Sequence, residues 1–268
     1  MNREELIKKA KDLALARVKP GMDMDEKIDL LEMAMMELLD VQIMKPPIGR
    51  IGTAGSGGVP AYDGDRKWLM GDDPRLPPMP AKPTLIDFFK YRFMNDTNGS
   101  SHLLQSAKLA RKKGCSEKIV LACLLHDIAI VGLVRSDHGH WAAQMIEPYV
   151  DPEVTWAVKY HQALRYRPDP AYGYEYPKKY VQWFGEDYEP AAHTKADWDY
   201  CVKHKWFDSA MQVVVNDLYA FDPNEVVRIE EFADIIARNF RQPAEGLGFD
   251  GSPSAHMWRT MIWPNNFL

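Results

Sequence analysis

The residues with the clearest chemistry are His126 and Asp127, set inside the apolar run Leu121-Ala122-Cys123-Leu124-Leu125 and Ile128-Ala129-Ile130-Val131. Burying an imidazole beside a carboxylate carries a large desolvation cost, and a bound cation offsets it most effectively. Neighbouring helix residues point about 100° apart, so one small ion cannot easily take both as terminal ligands. A bridging carboxylate resolves this: His126 holds one metal and Asp127 reaches between two. His102, His138, His161 and Asp217 complete a set of nitrogen and oxygen donors along the chain. Asp217 shares its helical face with Val214, Val213 and Ala210, and a carboxylate on an apolar face wants a positive partner. Singly, each has a plain explanation as a hydrogen-bonded core histidine, a cap or an ion pair. Together, four histidines and two aspartates without a thiolate suit two ions of the Fe, Mn or Zn type. His140, two residues after His138, offers a second imidazole in the same segment.

Helices must position these side chains. Periodicity predicts amphipathic helices over 3–17 and 24–44, broken at Lys19-Pro20-Gly21 and closed by Pro46-Pro47. Residues 46–83 hold eight prolines and seven glycines and read as a long ordered arm or lid with one short hairpin at most. Ser100 or Ser101 is expected to cap a helix running to Gly114, Ser116 the next, and Asp151-Pro152-Glu153 a third. After an irregular stretch from Pro168 to about Pro190, one helix is expected from about Asp197 to Phe221 and a last long one from Asn224 to Phe240. Strand signals are almost absent, so the fold class is all-α. The expected organisation is an N-terminal helical arm over 1–83, a metal-binding core over 84–240 and a tail over 241–268 that packs on it.

Composition narrows the function classes. The 33 basic and 38 acidic residues are interspersed and give a net charge of −5, without the basic stripe that nucleic-acid binding needs. No stretch reaches the roughly 18 apolar residues of a membrane span, and the charged start Met1-Asn2-Arg3-Glu4-Glu5 is unlike a signal peptide. A cytoplasmic enzyme acting on a small molecule is expected, with no nucleic-acid or membrane partner and the oligomeric state open. Cys115, Cys123 and Cys201 form no metal-ligand spacing and receive no role.

The segment Ser101-His102-Leu103-Leu104-Gln105-Ser106-Ala107 followed by Leu124-Leu125-His126-Asp127-Ile128 resembles the signature of the HD-domain superfamily. With His138, with His161 in His161-Gln162-Ala163-Leu164-Arg165-Tyr166, and with Asp217-Leu218-Tyr219, it is most similar to that superfamily's mixed-valent diiron oxygenases, the myo-inositol and phosphonate-cleaving families. The resemblance covers about residues 84–240 and implies a helical bundle around two irons in mixed Fe(II)/Fe(III) valence. It implies that His102, His126 and Asp217 bind one iron, that His138 and His161 bind the other, and that Asp127 bridges. It also implies that substrate and dioxygen meet at separate irons, with oxidative cleavage of a C–C or C–P bond. Gln105 and Asn216 are the candidates to orient the ligands.

One departure limits this reading. Relatives commonly carry Lys or His three residues after the bridging aspartate, where this chain has Ile130. The expected substrate is therefore a small polar, hydroxy-bearing compound, neither inositol nor a phosphonate by default, and anionic if Arg165 anchors it. Arg165 lies one turn after His161, where a guanidinium could clamp a carboxylate; a structural ion pair is the other reading of it. The alternative activity is a metal-dependent phosphohydrolase using Mn, Mg or Zn, and a third reading is a ligand-binding module that keeps a metal for stability.

Overall fold

The structure, a computed structural model, describes residues 3–22, 24–43, 77–93, 102–132, 137–175, 181, 185, 188–220, 222 and 224–262. Among them there is no strand, only an isolated bridge between Asp169 and Tyr174. The protein is all-α. Residues 46–76 of the arm and 176–180, 182–184 and 186–187 of the stretch after Pro168 lie outside the described residues, as do Ser100 and Ser101.

Helices α1 (Arg3–Leu15) and α2 (Met24–Ile43) form a hairpin, tied by a forked pair from Arg17 to Glu37 at 2.9 and 3.0 Å. A short helix α3 (Leu85–Phe88), capped by Thr84, runs into a π turn at Phe89–Phe93. The core then follows as α4 (His102–Lys112), α5 (Glu117–Leu125), α6 (Ile128–Gly132), α7 (His138–Ile146) and α8 (Pro152–Leu164). Gly114, at φ +75°, ends α4 in the left-handed region that glycine enters without strain. Ser116 caps α5 by accepting from Ile119 N–H, and Asp151 caps α8 by accepting from Glu153 N–H with Pro152 at the first helical position.

Helix α5 is buried from Ile119 through Leu125 and packs against both α4 and α8. A helix apolar on every side belongs at the centre of a bundle, and its C-terminal end delivers His126 and Asp127 into the interior. Around it lies the main apolar cluster, which includes Phe88, Phe89, Val158, Val214 and Trp258. The N-terminal hairpin makes a second cluster in which Ile130 and Tyr166 meet Leu31 and Met33.

Two expected helices differ. The single helix from 197 to 221 is two, α9 (Ala192–Cys201) and α10 (Phe207–Leu218). Between them the chain turns so that the His204 ring stacks on Trp156 at 4.2 Å, with Trp206 beside it at 5.2 Å from His204. Tertiary packing there overrides helical continuity. The helix expected from 224 to 240 is α-helical only over α11 (Ala233–Asn239), after a 3-10 turn at Ile229–Phe232. Its first part is held irregular by Gln105, whose Nε2 donates to the carbonyls of Asp222 and Glu225. A helix not anticipated, α12 (Ala255–Ile262), places Trp258 fully inside the main cluster, where its indole donates to Met145 O at 3.0 Å.

Candidate metal centre

Five helices bring the six residues to one point by their ends. His102 is the first residue of α4 and His138 the first of α7, while His161 and Asp217 sit near the C-terminal ends of α8 and α10. His126 and Asp127 follow directly on α5. All six are buried.

Their donor atoms form two groups sharing Asp127: His102, His126, Asp127 and Asp217 in one, Asp127, His138 and His161 in the other. In the first, His102 Nε2 is 2.6 Å from Asp217 Oδ1 and 3.2 Å from His126 Nε2, and His126 Nε2 is 3.4 Å from both Asp217 Oδ1 and Asp127 Oδ2. In the second, the other oxygen of Asp127, Oδ1, lies 3.2 Å from His138 Nε2 and 3.4 Å from His161 Nε2, which are 3.3 Å from each other. Ligands about 2.0–2.2 Å from a common ion stand roughly 3.0 Å apart at right angles and 3.4 Å at tetrahedral angles. Six of the separations, at 3.2–3.4 Å about His126 and between Asp127, His138 and His161, sit at that spacing, while His102 lies closer to Asp217 (2.6 Å) and farther from Asp127 (3.9 Å), and Asp127 turns one oxygen to each group.

The imidazoles are oriented by main-chain carbonyls. His126 Nδ1 donates to Cys123 O at 2.8 Å, His161 Nδ1 to Val158 O at 2.6 Å, and His102 Nδ1 lies 3.4 Å from Ala220 O. A carbonyl only accepts, so the hydrogen sits on Nδ1 and the Nε2 lone pair faces inward, as a ligand requires. Two such lone pairs 3.2 Å apart repel unless a proton or a cation lies between them. Buried Asp127 Oδ1 accepts no well-formed hydrogen bond although two Nε2 atoms are close. Both features fit a bound cation.

The electrostatics agree with this. Burial opposes ionisation of Asp127 and Asp217, yet the surrounding histidines hold both carboxyls below the ordinary range. Burial also opposes charge on His126, but Asp127 and Asp217 outweigh it and push its pKa up to about 9. His161 is lowered to about 4, chiefly by burial, and stays neutral. In chemical terms the site holds excess negative charge near His126 and a ready neutral ligand at His161.

The remaining candidates fall elsewhere. His140 is exposed, with Nε2 2.9 Å from Gln144 Nε2, and does not join the cluster. Among the described residues Gln105 hydrogen-bonds to no ligand; it pins the 222–225 backbone just beyond the Ala220 carbonyl. Asn216 donates to Gln212 O within its own helix and lies 3.7 Å from Cys115 Sγ. Ile130 is buried against the N-terminal hairpin. Arg165 is also buried; its guanidinium meets Glu32 of α2 at 2.7 Å and the Tyr166 hydroxyl at 3.0 Å. Its charge is matched by Glu32, so the geometry favours the ion pair over the substrate anchor. Sequence reasoning overlooked the orienting carbonyls of Cys123, Val158 and Ala220. Two of them follow a pattern, a histidine in the last turn donating back to the carbonyl three residues earlier.

Residues 99–202 match the family model of the HD domain. This segment is an HD domain. It contains His102, His126, Asp127, His138 and His161, while Asp217 lies beyond the matched span. A search of curated proteins finds no match to the chain. The HD domain and its buried His/Asp cluster together imply a metal-dependent enzyme. Among the described residues no helix is long and apolar enough to cross a membrane.

Proposed function

We propose that the protein is a dinuclear non-haem iron oxygenase acting on a small polar, hydroxy-bearing substrate with cleavage of a C–C or C–P bond. The observation that carries this reading is the group Asp127, His138 and His161. Two histidines and one carboxylate, with the rest of the coordination sphere open, are the ligand set of non-haem Fe(II) oxygenases. Four imidazoles against two carboxylates also weigh against magnesium, which prefers oxygen ligands. Bound iron would supply dioxygen and substrate coordination. The protein's own part is to fix the six donors, hold the histidine tautomers through Cys123 O and Val158 O, and keep bulk water from the buried centre.

A metal-dependent phosphohydrolase is the second reading, favoured by the carboxylate-bridged pair of sites, which can clamp the attacking and leaving oxygens of a phosphoester. The burial of Ile130 and the pairing of Arg165 with Glu32 leave those two positions without a free cation for a phosphate. The experiment is oxygen uptake by anaerobically iron-loaded, ascorbate-treated protein over a panel of small hydroxy compounds, alongside phosphate release from phosphoesters with Mn or Mg. Substrate-dependent oxygen uptake, with a half-integer-spin signal on partial oxidation, is expected. Phosphate release without oxygen consumption would replace the proposal by the hydrolase.

A further inference from the structure

A cavity of about 360 Å³ opens between α7, α8 and α9, and none of the six centre residues lines it. Its volume falls at the lower end of the roughly 300–1,000 Å³ typical of small-molecule sites. The wall carries the ammonium of Lys159, the carboxylates of Asp137 and Asp197 and the imidazole of His193. Among the described residues none of these groups comes within 4.0 Å of an opposite charge. Lys159 Nζ instead sits 5.2 Å over the Tyr160 ring, and Asp137, at the start of α7, makes no capping hydrogen bond. Thr194 is 3% exposed and lines the same cavity. Charges of both signs around one cavity, on the exposed Asp137 and His193 and the half-buried Lys159 and Asp197, are complementary to a ligand that carries both signs.

We propose that this cavity binds a small zwitterion of the ω-amino acid class, its ammonium meeting Asp137 and Asp197 and its carboxylate meeting Lys159 and His193. Burial holds the Asp197 carboxyl above its ordinary range despite nearby His193 and Lys159, and an added ammonium relieves that cost. The ligand is an effector and not the substrate, because the centre's donor atoms do not reach the cavity. It has a route to them. Gln162 lines the cavity and accepts a hydrogen bond from Gly139 N–H at 3.3 Å. Gln162 follows His161 and Gly139 follows His138, so an occupant braces the two helices that present this histidine pair.

The test titrates glycine, β-alanine, γ-aminobutyrate and 5-aminovalerate into the metal-loaded full chain by calorimetry, with butyrate and butylamine as single-charge controls. One amino acid of the series should bind with a Kd of roughly millimolar or below. It should bind at least about tenfold more tightly than either control, since only it satisfies both signs at once. Lys159→Met and Asp197→Asn should each weaken it by a similar factor while the bound metal per chain stays unchanged; either variant suffices if the other fails to fold. No saturable binding by any of the four, equal binding of a control, or binding undisturbed in both variants overturns the proposal. Binding that is lost in Asp127→Asn but kept in both Lys159→Met and Asp197→Asn places the ligand at the metal centre and overturns it as well.

Discussion

Raising the pH of the metal-free protein from 6.5 to 9 should remove stability that metal then restores. His126 loses its proton at about 9 in the folded chain, against about 6.5 in the unfolded one. Burial alone would lower that value, and the carboxylates of Asp127 and Asp217 reverse it. Between those two pH values only the native state holds the proton, so the contribution is complete below about 6.5 and is lost as pH climbs to about 9. At about 1.4 kcal/mol per pKa unit the span is worth about 3 kcal/mol, or roughly 6–12 °C in Tm for a chain of this size. His161 acts on the other side: lowered to about 4 by burial, it costs stability as pH falls below about 6.5. The metal-free protein should thus be most stable near pH 6.5. A metal ion needs the Nε2 of His126 without its proton, so the gain in Tm on loading should grow from pH 6.5 to 9 and level off above. The assay is thermal unfolding in chelator and in saturating zinc at one-unit pH intervals, with Asp217→Asn as control because it removes one of the two carboxylates. A metal-free Tm that is flat or rising across the window, or an Asp217→Asn slope equal to wild type, would refute the charge balance derived for this site.

Three further outcomes follow from the geometry. Asp127→Asn should lower occupancy at both metal positions and Asp217→Asn mainly at one, read as metal per chain by mass spectrometry; equal losses contradict the sharing of Asp127. In Gly139→Ala the new methyl would lie 2.9 Å from the carbonyls of Val158 and Lys159 and 3.2 Å from His161 Cε1. It should cost about 1–3 kcal/mol and weaken the His138–His161 site first, measured by urea unfolding and metal stoichiometry. Glu32→Gln removes the carboxylate that meets the buried Arg165 guanidinium at 2.7 Å and should destabilise by about 3–5 kcal/mol in the same unfolding assay; an unchanged midpoint would return Arg165 to the substrate side.

Much of the site was legible because its members are expensive to bury: charged and imidazole side chains on apolar helices stand out in a sequence, and only a cation makes six of them affordable together. Helix starts at Ser116 and Asp151 were equally plain, since capping is local chemistry. What the sequence did not disclose was non-local. Whether Arg165 faced substrate or Glu32 depended on how the N-terminal hairpin docks, and the break between α9 and α10 depended on Trp156 stacking with His204 across the chain. The irregular run before α11 is likewise imposed by Gln105, more than a hundred residues earlier. The orienting carbonyls belong to the backbone, which every residue supplies, so residue type gives no hint of them.

Crystals of the iron-loaded protein, measured at the iron absorption edge, test most directly whether Asp127 bridges a pair of metal positions. Two anomalous peaks are expected, each about 2.0–2.2 Å from a different oxygen of Asp127, one among His102, His126 and Asp217 and the other beside His138 and His161. A single peak, or two peaks of which one lies away from Asp127, would contradict it.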